Sequence, residues 1–268
     1  MKIKDKLREI IYYDIPKVHF SFRAVKRDLL GDSRYNKLRE LKGRYSGKRC
    51  FIVATGPSLT MDDLSLLKNE ITFGMNSLCG IFDKTDFRPT FYAVQDKAVY
   101  KKMEPYFKKH KIDEVIVGIA NAHNIGFNDA DLDQHERWIG FPLNAGYHLG
   151  DMIYRDKYYV KYSQNAYKQV YDGYSITYSL IQLAQYMGFT EIYLLGVDCN
   201  YKKGQANHIF EYGDKDSDHH DSQYQRMIKG YELLAAKADE LPYKIFNATR
   251  GGILELFPRV KLEEVLGE

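Results

Sequence analysis

Short apolar runs recur along the chain after residue 49, each stopping at polar residues and passing into a helical pattern. No other feature constrains the fold so much. "RCFIVA" (49–54) is a continuous run of strand formers, as expected of a strand covered on both faces. It ends abruptly in Gly56-Pro57-Ser58. "TMDDLSLLKN" then reads as a short helix, with Thr60 as N-cap and acids in the first turn. "ITFGMN" and "TFYAVQ" are the second and third strands, "DKAVYKKMEPYFKKH" is a helix and "DEVIVGIA" the fourth strand. "YSITYSLIQLAQYMG" is an amphipathic helix closed by Gly188, and "EIYLLGVD" is a strand with Asp198 at its carboxyl end. "SQYQRMIKGYELLAAKADEL" is a helix and "YKIFNAT" the last strand. This alternation predicts an α/β fold, a Rossmann-like, mostly parallel sheet with helices on both faces.

Ligands of such sheets bind beyond the carboxyl ends of the strands. The polar residues placed there are Thr55 and Ser58, Asn76 and Ser77, Gln95 and Asp96, Asp198 and Asn200, and Asn247 with Thr249. The Gly56-Pro57-Ser58 turn is not a P-loop, since no GKS or GKT follows, nor is it G-x-G-x-x-G. A βα turn uses glycine and capping hydroxyls for structural reasons alone. Its chemistry also fits a nucleotide phosphate or ribose held by backbone N–H groups and short side chains. On that reading a Cβ at Gly56 would crowd the ligand. The Asn76 amide can both donate and accept, which suits a sugar or base edge; an Asx turn closing the strand uses the same residue.

Two stretches break the rhythm. From residue 121 to about 172 the sequence is polar, aromatic and rich in Gly and Asn, which predicts a lid or substrate-binding insertion. Residues 199–221 or so read as a mobile loop ending in "DKDSDHHD". Its Asp214, Asp216 and Asp218 alternate like the start of an EF-hand. The sixth position, however, is His219 rather than Gly, and the twelfth is Gln225 rather than an acid, so the calcium reading fails. A magnesium site using two of these acids with a nucleotide diphosphate stays open. So does a general-base role for His219 or His220, because imidazole titrates near physiological pH.

Charge divides the chain. Residues 1–49 hold fifteen Lys and Arg against six Asp and Glu, about +9, whereas the whole chain is +3. Residues 1–47 therefore read as a basic helical appendage to a catalytic domain over 48–268. Residues 1–45 are expected either to touch anionic lipid at a membrane periphery or to pack on the domain or a neighbouring subunit in a homo-oligomer. Nucleic acid is not an expected partner, because the rest of the chain is acidic and carries no recognisable module. No apolar run approaches the roughly 18 residues of a membrane span. The start lacks a signal-peptide apolar region, and Cys50, Cys79 and Cys199 form no CxxC pair. The expected setting is cytoplasmic, with reduced, buried thiols.

"CFIVATGPSL", "ITFGMNS", "FYAVQD", "DGYSITYSLIQLAQYMGFTEIYLLGVDCNY", "HIFE", the His pair and "KIFNATRGGILELFP" occur in this order over about 48–259. The series resembles the bacterial DUF115 / Maf-like family and, beyond it, the bacterial sialyltransferases of glycosyltransferase family 42. The resemblance implies a GT-A-like variant of the Rossmann fold with a lid. It also implies metal-independent, inverting transfer from a CMP-activated sugar, with no cofactor. In the sialyltransferases a GNGPSL turn holds the nucleotide through its Asn, a position occupied here by Thr55. Their Asn-Gln pair after the second strand resembles Asn76-Ser77, and their Asn after the third falls near Gln95. Their helix-opening Ser corresponds to Ser175. Two phosphate-contacting tyrosines fall near Asn200 or Tyr201, and at His208. Their general base corresponds to His220, with His219 one residue away, and an Arg near the donor sugar is replaced around Asp172.

The strand-end positions and the resemblance together assign the nucleotide and donor to Thr55, Gly56, Pro57, Ser58, Asn76, Ser77, Gln95, Asp96, Ser175, Asp198, Asn200, Tyr201 and His208, and the resemblance assigns proton transfer to His220 or His219. The implied activity is transfer of a sialic-acid-like (nonulosonic) sugar to a glycan or lipid-linked glycan in surface polysaccharide assembly. The same superfamily resembles a pterin pyrophosphokinase, which would use ATP and magnesium. A non-catalytic nucleotide-sugar-binding subunit is the third reading.

Overall fold

The computed structural model describes residues 3–121, 126–145, 160–201, 206–211 and 220–267. The chain opens with α1 (Ile3–Glu9), a π-helical turn (Ile10–Asp14) and α2 (Ile15–Leu30), then α3 (Asn36–Glu40). The sheet begins at β1 (Arg49–Val53), followed by α4 (Met61–Leu66), β2 (Thr72–Met75), a 3-10 segment (Asn76–Lys84) and β3 (Phe91–Val94). Next come α5 (Lys97–Lys109), β4 (Val115–Ile119), α6 (Asp129–Asp133), β5 (Ile139–Asn144) and β6 (Val170–Tyr171). The chain closes with α7 (Ile176–Tyr186), β7 (Glu191–Leu195), α8 (His220–Ala236), β8 (Lys244–Asn247) and α9 (Leu262–Leu266).

Among the described residues eight strands form one sheet in the order β6-β5-β4-β3-β2-β1-β7-β8, every pairing parallel, with helices around it. The expected Rossmann-like α/β architecture is therefore the observed one. Cys50, Phe51, Ile52 and Val53 of β1 are wholly buried, which is why this strand reads as an unbroken apolar run. β1 lies between β2 and β7, with Val53 in register with Gly74 on one side and Leu195 on the other. The strand order reverses at this point. Neighbouring connections leave in opposite directions from the ends of β1 and β7, and a crevice opens between them.

The segment read as a lid is in part scaffold. Residues 139–144 and 170–171 are strands of the sheet, and Phe141, Leu143 and Val170 are buried in it. The remainder of the expected lid, residues 122–125 and 146–159, lies outside the described residues.

The basic appendage divides too. Tyr35, Leu38 and Leu41 join the main core. The Gly43 and Tyr45 N–H groups donate to Tyr186 and Met187 carbonyls at the end of α7. The Arg27 guanidinium, 6% exposed, donates to the Lys168 carbonyl and lies 4.8 Å from the Tyr35 ring centroid. Residues 35–45 therefore pack on the domain, the second of the two expected dispositions. No described helix is long and apolar enough to cross a membrane.

Candidate functional site

The crevice has a volume of about 390 Å³ and is lined from both sides of the β1/β7 junction. Thr55 and Gly56 follow β1 directly, and Gly196, Val197 and Asp198 follow β7. Asn76 comes from the end of β2, and Gln95 and Asp96 from the end of β3. Asp172, Tyr174 and Ser175 close it from the β6–α7 turn, opposite Asn200, Tyr201 and His208. Residues following the carboxyl ends of five strands distant in sequence thus meet in one cleft.

The opening turn has a structural task that the sequence reading assigned to a ligand. A Cβ on Gly56 would fall well inside contact distance of the Asp198 carboxylate and the Gly196 carbonyl oxygen. Glycine is required there because β1 and β7 hand over to their loops at the same point. The Gly56 N–H donates to the Gly196 carbonyl at 2.9 Å, closing that approach. Pro57 is exposed and outside the cleft lining, and Ser58 donates to Asp198 Oδ2 at 2.8 Å without lining the cleft. Ser77 is wholly buried beneath the wall and is not a lining residue. Asn247 and Thr249 are structural. The Asn247 amide donates to the Leu254 carbonyl, and the Thr249 hydroxyl accepts from the Val197 N–H.

Thr55 Oγ1 lies 3.1 Å from His208 Nδ1, and the Ile209 N–H donates to the Thr55 carbonyl at 2.7 Å. The loop after β7 is thereby fixed to the end of β1, and His208 is held at the cleft. Gln95 accepts from the Ser179 hydroxyl at 2.8 Å and donates to Asp172 Oδ1 at 3.2 Å. Asp172 Oδ1 also accepts the Tyr174 N–H at 2.8 Å. Asp96 caps α5 through the Ala98 N–H, and Ser175 caps α7 through the Thr177 N–H. Ser175 Oγ additionally accepts from the Tyr231 hydroxyl at 3.3 Å.

Two signals mark this cleft as more than a by-product of the fold. Asn76, Tyr174 and Cys199 line it with φ of 48°, 59° and 51°, left-handed values that bulky residues avoid. Asn76 Oδ1 is also buried with no hydrogen-bond partner in the protein, although the residue lines the cleft. A buried amide oxygen left open is costly unless something else donates to it.

Asp198 is 8% exposed, and burial raises its carboxyl above the ordinary range, against the lowering effects of Ser58 and Arg259. An acid whose pKa rises on folding gives its full stabilisation below its ordinary pKa. That contribution is lost as pH climbs through the raised value. Asp198→Asn, which keeps an acceptor for Ser58, is therefore expected to raise the melting temperature of the ligand-free protein at pH 7. The expected gain is modest, and its sign follows from the raised carboxyl. It should vanish near pH 3. Thermal unfolding of both proteins across that range checks this; an unchanged or lower value at pH 7 contradicts it.

Thr55, Gly56, Asn76, Gln95, Asp96, Ser175, Asp198, Asn200, Tyr201 and His208 are thus gathered in one place, whereas Pro57, Ser58 and Ser77 are not. Asp172, Tyr174, Asn207 and Met227 also line the cleft and were not assigned to it. Of these, Asp172 stands where the resemblance places a replaced Arg. His219 and the acidic run 214–218 are outside the described residues. His220 opens α8, which brings Met227 to the cleft two turns further on; its side chain is outside what is described. Among the described residues no group of three or more His, Cys, Asp or Glu is placed to hold a metal ion.

Fold and site together define a doubly wound α/β protein with a polar cleft at its topological switch point. The chain belongs to the family described as 6-hydroxymethylpterin diphosphokinase MptE-like, whose sequence profile matches residues 29–204. The match supports the DUF115-related part of the resemblance and does not extend to the Maf-like part. Among solved structures, the chain is similar to a point variant of the sialyltransferase CST-II crystallised in complex with CMP. The likeness has a TM-score of 0.41 and 18% identity, over 78% of this chain and 84% of that one. A search of the curated proteins finds no match.

Proposed function

We propose that the cleft binds a nucleotide and that the protein is a glycosyltransferase using a CMP-activated, sialic-acid-like sugar, without a metal. The observation that carries this reading is the character of the lining. Its short hydroxyls, amides and one imidazole suit a nucleoside and a single phosphodiester. Its carboxylates, Asp96, Asp172 and Asp198, each already accept a protein donor and so organise the cleft. A triphosphate would meet carboxylates across much of this surface, and drawing them out to hold magnesium would undo the Gln95–Asp172–Tyr174 and Ser58–Asp198 contacts.

In the proposed reaction an acceptor hydroxyl of a glycan or lipid-linked glycan attacks the anomeric carbon. The bond from that carbon to the phosphate oxygen breaks, and CMP departs with the electron pair. The hydroxyl proton passes to the imidazole of His220. Asn76 offers its open amide to the ribose or base. The Ser175 hydroxyl and His208 stabilise the charge left on the phosphate.

The family match favours a second reading, transfer of a diphosphate from ATP to a pterin, which requires a divalent metal to bridge phosphates. A thermal-shift panel of CMP, CDP, UDP, GDP and ATP, each with magnesium and with chelator, tests the two. CMP in chelator at about a hundred times its dissociation constant should stabilise the fold by roughly 2.7 kcal/mol. Stabilisation by ATP with magnesium alone would replace the first reading with the second.

A further inference from the structure

The N-terminal helix carries a second apolar face that the fold does not cover. Between residues 3 and 30 its inner side is anchored by Tyr13, Phe20, Ala24 and Arg27, all buried. On the opposite side the exposed large residues fall in order. From Ile15 they recur at Val18, Phe22, Val25 and Leu29, steps of three, four, three and four. Before Ile15 the same spacing holds Ile3, Leu7 and Ile10, steps of four and three, while Ile11, Tyr12 and Leu30 are exposed beside the series. Only the step from Ile10 to Ile15 is irregular, with one residue too many, and it coincides with the π-helical turn Ile10–Asp14. A π turn absorbs one extra residue per occurrence, so the stripe stays on one face from end to end. Corrected for that insertion, the spacing is an unbroken heptad alternation, the pattern of a helix–helix seam.

We infer that this seam pairs with the same seam on a second copy of the chain, making the protein a homodimer through its N-terminal helices. Exposure sets the scale. Ile3 is 89% exposed, Phe22 66% and Leu29 76%. Summed over the stripe this leaves on the order of 1,000 Å² of apolar surface per chain, above the few hundred usual for a monomer's largest patch. A stable interface needs roughly 800 Å² from each partner. The heptad positions themselves stay within about a quarter of the helix circumference, as in coiled-coil pairing, with Leu30 and Ile11 flanking them. A helix lying in a lipid surface presents a broader apolar face with cations along both edges. Here the edges mix signs, with Lys4, Lys6 and Lys26 against Asp14 and Asp28, and the opposite face is already held by the domain. An identical, rigidly mounted seam on a second copy meets these conditions, because a two-fold axis makes the patch complementary to itself.

Sedimentation velocity of the full chain, the single variants Val18→Glu and Phe22→Glu, and the conservative Phe22→Leu tests the inference. The full chain and Phe22→Leu should sediment as dimers at micromolar concentration, and both Glu variants as monomers with unchanged circular dichroism. Both positions are exposed in the isolated chain, so a Glu there does not enter the core. A parallel flotation assay with vesicles of phosphatidylserine and phosphatidylcholine separates lipid from protein as the occupant. A monomeric full chain, dimers that survive both Glu variants, or vesicle binding that both Glu variants abolish in a monomeric protein would each overturn the proposal.

Discussion

Gly56→Ala is expected to destabilise the ligand-free protein by about 3 kcal/mol, lowering its melting temperature by roughly 6–12 °C, before any ligand is considered. The added methyl meets the Asp198 carboxylate and the Gly196 carbonyl oxygen at once. A carboxylate can rotate away at the cost of its Ser58 hydrogen bond. The carbonyl belongs to the backbone that pairs with Gly56 itself, and it has nowhere to go. Asp198→Ala in the same chain should return only part of the loss, since it relieves one of the two contacts. Thermal or urea unfolding of the single and double variants measures this. Wild-type stability combined with lost nucleotide affinity would restore the turn to the ligand and contradict the packing role.

His220→Ala is expected to slow sugar transfer by roughly 10²- to 10⁴-fold, the usual cost of losing a general base, with CMP affinity left near that of the wild type. The separation of rate from binding is the informative part. A residue that only held the loop would move both together. His208→Ala should do the reverse and weaken the nucleotide, because His208 lines the cleft beside Thr55. His219→Ala serves as the control. Loss of transfer there, with His220→Ala active, moves the base by one residue, and full activity in the double variant removes both histidines from the chemistry.

Most of the scaffold was legible because buried parallel strands leave an unmistakable mark. β1, β2, β3, β4 and β7 are short apolar runs, and polar residues stop each at its carboxyl end. β5 was not legible. Its sequence, "IGFPLN", holds both a glycine and a proline, which ordinarily argue against an interior strand. The reasons are local. A Cβ on Gly140 would press into Leu132 of α6. Pro142 stands where β6 has not yet begun, since pairing to β6 covers only Leu143 and Asn144, so the missing N–H costs no ladder bond. With two residues, β6 is too short to show any periodicity.

The cleft divides in the same way. Thr55, Asn76, Gln95, Asp96 and Asp198 were found by a topological rule: they end strands. Tyr174 follows the two-residue strand that could not be seen, and its left-handed backbone is a property of the turn rather than of its residue type. Asn207 and Met227 reach the cleft from a loop and a helix that pass over the sheet, where no periodicity points. Ser58 and Ser77 illustrate the opposite error, in which a hydroxyl at a strand end turns inward to the scaffold. Ser58 supports Asp198, and Ser77 is wholly buried.

The most direct measurement is a turnover assay that identifies the nucleotide released. With a CMP-activated nonulosonic sugar, a glycan acceptor and chelator present, CMP should accumulate in step with glycan product, and His220→Ala should suppress both. The opposite outcome is equally distinct. No release from any nucleotide sugar, together with AMP formed from ATP and a hydroxymethylpterin only when magnesium is supplied, would make the protein a diphosphokinase and contradict the sugar-transfer reading.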